Sequence, residues 1–97
     1  MHKVDQNFLK QLGKLVKYTR SEIMSQDELA ARIGVGRKTI SAIERGVGVN
    51  SETLVQVLSF LQLLPHLAEP IEQRLDLVDD GPVRKLRKPK PELPNDF

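Results

Sequence analysis

Apolar residues recur at helical spacing in several stretches of this 97-residue chain, and nowhere do they alternate as a half-buried strand requires. Phe8, Leu9, Leu12, Leu15, Val16 and Thr19 follow the i, i+3, i+4, i+7 pattern, which predicts an amphipathic helix over 6–20. Lys10, Lys14 and Lys17 occupy another face of it, and Gly13 lowers its intrinsic helicity. A second helix begins at Ser25, where SQDE forms a capping box with Glu28, and Asp27 and Glu28 suit the positive end of the helix dipole. Leu29, Ala30 and Ile33 form its buried side, and Gly34 stops it after about two turns. A third helix runs from Gly36 or Arg37 to Arg45, with Ile40 and Ile43 inward and Gly46 as its stop. Asn50 or Ser51 caps a fourth, striped by Leu54, Val57, Leu58 and Leu61, which Pro65 ends or kinks. HLAEPIEQRLDLV gives one more short helix with Pro70 near its first turn. The expected fold is all-α, with four or five short helices.

Beyond residue 79 the pattern stops. Four of the last nineteen residues are proline and five are basic, which predicts an extended tail with little to bury. The expected domain is therefore 5–75, followed by a flexible basic, proline-rich tail over 76–97. The net charge of +2 is uneven. Residues 1–50 carry +4, residues 51–80 carry −5 and residues 81–97 carry +3, so two basic regions flank an acidic one. Cysteine is absent, which excludes disulfides, zinc-thiolate sites and a thiol nucleophile. No apolar run approaches bilayer length, and MHKVDQNFLKQL lacks the apolar core of a signal peptide. The expectation is a cytoplasmic protein with no membrane contact.

The stretch IGVGRKTI, Ile33 to Ile40, admits two chemistries. A phosphate-binding loop, G-x-x-x-x-G-K-[ST], would need glycine where Arg37 stands, and a dinucleotide fingerprint would need glycine at Thr39. Both also need a preceding strand, and a capped helix stands there. His2 and His66 are the only histidines and lie far apart, and the thirteen carboxylates form no H-E-x-x-H or comparable set. Nothing in the pattern points to an enzyme, a metal or a cofactor. The alternative is a helix-turn-helix, two short helices joined by a tight glycine-containing turn. Its second helix would present Arg37, Lys38 and Thr39 to base edges in the major groove.

SQDELAARIGVGRKTISAIERG, residues 25–46, closely resembles the Xre-type, lambda-repressor-like helix-turn-helix transcriptional regulators. The match lies at Gln26, Leu29-Ala30, Gly34-Val35, Thr39-Ile40-Ser41, Ile43-Glu44 and Arg45-Gly46, and the wider resemblance covers roughly 7–64. It implies that Gln26 bonds a backbone phosphate and that Gly36, Arg37, Lys38 and Ser41 face bases or nearby phosphates. It also implies that Thr39 touches a phosphate or a thymine methyl, and that Arg45 and the loop to Ser51 lie by the sugar-phosphate chain. Ala30, Ile40 and Ile43 are its packing positions. The chain departs from the pattern at Ile23, where glycine is frequent, and at Thr19, where an arginine paired with the Glu44 acid is frequent. Gly36 replaces the usual polar cap.

One such motif covers a short half-site, so a homodimer on a palindromic operator is expected. SFLQLLPHL offers Phe60, Leu61, Leu63, Leu64 and Leu67 as the dimer surface. Three members of the family compete as relatives: a HipB-like antitoxin paired with a HipA-like kinase toxin, a phage or stand-alone repressor, and a restriction–modification controller. The antitoxin reading is favoured by an acidic segment suited to a basic partner and by the tail KLRKPKPELPNDF, which ends on Phe97. Outside DNA binding, the alternative is a protein-interaction module that keeps the fold.

Overall fold

A computed structural model describes residues 2–79 of the chain. These form α1 (Lys3–Ser21), α2 (Gln26–Ile33), α3 (Arg37–Arg45), α4 (Ser51–Phe60) and α5 (Leu64–Asp79), with no strand among them. The chain divides into two units, Met1–Pro65 and His66–Phe97. The first unit thus ends ahead of residue 75. Of the tail expected over 76–97, residues 76–79 belong to α5, and residues 80–97, including Phe97, lie outside the described residues.

In the first unit α3 packs against both α1 and α2, and α2 also packs on α4. Val16, Leu29, Ile40 and Val57, one from each of these four helices, are fully enclosed. Ala30, Ile43 and Leu58 are buried around them. The apolar row on α1 divides: Leu12 and Val16 enter the core, whereas Phe8 and Leu15 stand largely in solvent. Leu9 and Leu54 are half-buried because they line an open apolar recess of about 190 Å3 beneath the α3–α4 loop.

Local chemistry sets the ends of α2 and α3. Ser25 Oγ accepts the Glu28 N–H at 3.1 Å, which satisfies one of the free donors of the first turn. Gly34 and Gly46 close α2 and α3 at φ of 93° and 81°, in the left-handed region that costs glycine nothing. Asn50, not Ser51, caps α4, its Oδ1 accepting from Glu52 N at 2.8 Å and Thr53 N at 3.2 Å.

The junction of α4 and α5 differs from the sequence expectation. Pro65 does not end α4. That helix stops at Phe60, and Gln62 takes a φ of 63°. Leu63 N–H then reaches back to Leu58 O at 2.8 Å and Gln62 N–H to Ser59 O at 3.0 Å. This is the Schellman closure with glutamine in place of glycine, at a backbone cost of roughly 1 kcal/mol or more. Pro65 becomes the second residue of α5, where its missing N–H costs no hydrogen bond. Because α5 starts at Leu64, Pro70 lies inside it and not in its first turn. There it withholds the bond that the His66 carbonyl would accept.

The same turn alters the surface expected from SFLQLLPHL. Leu61 and Leu63 are buried within the chain and cannot serve as a dimer face. Leu64 and Leu67 are half-buried, and only Phe60 is exposed.

Candidate nucleic-acid interface

The first turn of α3 carries Arg37, Lys38 and Thr39, with Arg37 and Lys38 exposed and Thr39 half-buried. Gly36 is the N-cap, and no side chain caps the helix. The donors at this end are therefore left to solvent or to an anion, apart from Thr39 N–H, which bonds Gly36 O at 3.1 Å. Gln26 opens α2, on the other side of the turn.

These two helix starts are joined by a chain of side-chain hydrogen bonds that begins in the core. Arg20, on α1, donates from Nε to Glu44 Oε2 at 2.6 Å and from Nη2 to Glu44 Oε1 at 3.2 Å. Its Nη1 donates to the Met24 carbonyl at 2.9 Å, which ties the α1–α2 turn to the same pair. Both side chains are buried, at 9% and 3% exposure. Glu44 Oε1 also accepts from Gln26 Nε2 at 2.8 Å. Gln26 Oε1 in turn accepts from Arg37 Nε at 3.2 Å, and Asp27 Oδ1 lies 3.8 Å from the same nitrogen.

The arrangement fixes the Arg37 side chain at one nitrogen. Its Nε is held from behind, while its two terminal nitrogens make no hydrogen bond among the described residues. Those are the groups that grip guanine O6 and N7 as a fork. Asp27 and Arg37 are both mostly exposed, so their attraction is screened and does little to withhold the guanidinium.

Of the residues singled out from sequence, Gln26 and Arg37 are brought into contact, as are Ser41 and Arg45, whose Oγ and Nε lie 3.4 Å apart. Lys38 has no ion-pair partner among the described residues. Ser51 begins α4 and lines the apolar recess. The departure at Thr19 is resolved by a shift of one position. Arg20 supplies the buried partner of Glu44, and the row Leu12, Val16, Arg20 at steps of four is the signal that marks it as inward. Ile23 is accommodated because the α1–α2 turn uses no positive φ there.

The helix-turn-helix family matches the chain over residues 17–66, just over half its length. The chain belongs to the helix-turn-helix family. This helix-turn-helix protein matches no curated protein and no solved structure. The matched span runs from the end of α1 through α4 and contains every side chain of the Arg20–Glu44–Gln26–Arg37 chain. The domain is a DNA-binding regulatory module of the Xre, lambda-repressor-like kind. Among the described residues, no helix is long and apolar enough to cross a membrane, and no cluster of His, Asp or Glu could hold a metal ion.

Proposed function

We propose that the protein is a sequence-specific repressor that binds a palindromic operator in its own promoter as a homodimer in the cytoplasm. The observation that carries this reading is Arg37, buttressed through Gln26 on the buried Glu44 and open at its terminal nitrogens. Lys38 beside it supplies a second exposed cation, and the uncapped start of α3 suits a phosphate. Gly36, Thr39, Ser41, Arg45 and Ser51 complete the contact surface, Thr39 and Ser41 toward base edges and Arg45 and Ser51 toward the sugar-phosphate chain. Gln26 serves twice, since it positions Arg37 and keeps one amide hydrogen for a phosphate.

The test is a gel-shift titration of promoter and random duplexes over a range of salt. Arg37→Ala is expected to lose about 1–3 kcal/mol of preference for the operator. Lys38→Ala is expected to weaken binding to all sequences and to reduce the salt slope by about 1. Equal affinity of the unaltered protein for promoter and random DNA would overturn the reading.

The sequence of residues 81–97 favours a more specific role, that of a HipB-like antitoxin whose partner is a HipA-like kinase. A segment with five basic residues and four prolines is excess to DNA reading by the first unit. Such a segment can order on a partner protein. A kinase encoded next to this gene is expected to co-purify with the full chain and not with a chain cut after residue 79. Equal recovery with both chains would remove the tail from the toxin contact.

A further inference from the structure

Four lysines of α1 are gathered on one side of the helix. Lys10, Lys14 and Lys17 fall at steps of four and three, and Lys3 stands two turns before Lys10. All four are exposed, and none has an ion-pair partner among the described residues. Asp5, the one acid of α1, lies seven residues before Leu12 and so on the Leu12 row, not among the lysines.

The packing of α1 sets this lysine face beside the end of α3. Gly13 lies three residues after Lys10 and four before Lys17, and there α1 meets the carbonyl groups of Ile43 and Glu44. Gly46, the C-cap of α3, is equally close, since a Cβ there would stand 2.8 Å from Lys10 Cα. Lys10 and Lys17 therefore bracket the end of α3 that carries the exposed Arg45. The helix dipole alone does not account for them. The Ala42 and Ile43 carbonyls at that end already accept N–H groups from Gly46 and Val47. The dipole effect also fades within one turn, whereas Lys3 to Lys17 spans about 21 Å of helix axis. A row of like charges of that length is relieved by a polyanion, and each strand of a duplex presents one phosphate per about 3.4 Å of its axis.

We infer that the lysine face of α1 binds the sugar-phosphate chain at the edge of the groove that α3 enters, so that α1 holds the duplex beside the recognition helix. The inference rests on the reading of α3 as that helix and deepens it by adding Lys10, Lys14 and Lys17 to the DNA surface. Their contacts supply affinity without sequence preference, because a phosphate is the same beside every base. Arg37 keeps the task of discrimination.

The test replaces Lys10, Lys14 and Lys17 together by glutamine in the full chain. Affinity is then measured by fluorescence anisotropy on promoter and random duplexes over a range of salt. The plot of log affinity against log salt should be shallower than the parent's by about 2–3 on both duplexes, and the promoter-to-random ratio should not change. Lys14→Gln alone, at the outer edge of the lysine face, should take about 1 from the slope. The triple variant should unfold at the parent's urea midpoint, because all three side chains are exposed. A salt slope equal to the parent's would overturn the inference. A lowered urea midpoint at unchanged slope would do so too, by assigning the lysines to the end of α3. A fall in the promoter-to-random ratio would make them base readers and would also overturn it. If the parent itself does not prefer its promoter, the repressor reading fails, yet the slope difference on random duplexes still decides the role of α1.

Discussion

Glu44→Ala is expected to cost the first unit about 3–5 kcal/mol of folding stability, enough to unfold much of a small domain. The carboxylate is 3% exposed and holds three hydrogen bonds, two from Arg20 and one from Gln26. Truncating it leaves the Arg20 guanidinium buried with the Met24 carbonyl as its remaining partner. The loss therefore reflects mainly a charge stranded away from water, not the net worth of the pair. A double replacement, Arg20→Met with Glu44→Leu, removes both charges and keeps the volume. It should regain most of the stability lost in Glu44→Ala. Urea denaturation midpoints of Arg20→Met, of Glu44→Leu and of the double variant, set beside that of Glu44→Ala, measure the coupling. A loss below about 1 kcal/mol in Glu44→Ala would show that the pair behaves as a solvent-exposed bridge. The stable double variant carries a functional signature as well. It lacks the acceptor that anchors Gln26, so Arg37 loses its support, and operator preference should fall while non-specific binding persists.

That coupling explains why the site is only partly legible in the sequence. Side chains at the helix starts can be named, because caps and glycine stops are local signals. Ser25, Gly34 and Gly46 act where the spacing puts them. The network behind the site depends on three helices meeting, and local spacing does not report that. The family pattern marks Glu44 as an acid to be paired but puts its arginine at Thr19, and only the packed helices bring Arg20 and Gln26 against it. The α4–α5 junction is illegible for another reason. Its left-handed residue is Gln62, and glutamine carries none of the turn signal of glycine, whereas Pro65 reads as a stop and is in fact a start. On α1 the periodicity offers two apolar rows, Leu12–Val16 and Phe8–Leu15, and hydrophobicity alone does not choose between them. Gly13, which lies on the first row, is buried where α1 comes against the backbone of α3.

Gly13→Ala should destabilise the protein by about 1–3 kcal/mol, although helix propensity alone favours the change by roughly 1 kcal/mol. The two effects have opposite signs, and the surroundings of Gly13 decide between them. Gly13 is buried in the middle of α1, where the helix crosses the end of α3. A methyl group there would meet the carbonyl oxygen of Ile43, with Glu44 O at 2.7 Å and Glu44 C at 2.9 Å. All three are backbone atoms, so no rotamer change relieves the overlap. Relief requires α1 to move off α3, which also draws Arg20 away from Glu44 and loosens the anchor of Gln26. Gly36→Ser is the matched control. Its added Cβ would meet nothing within 4 Å, its φ of −81° is ordinary, and serine can cap α3, so a gain of a few tenths of a kcal/mol is expected. Thermal and urea unfolding of both variants give the comparison. A Gly13→Ala protein as stable as the parent would mean that α1 and α3 are not in backbone contact, and the buried position of Arg20 would then need another cause.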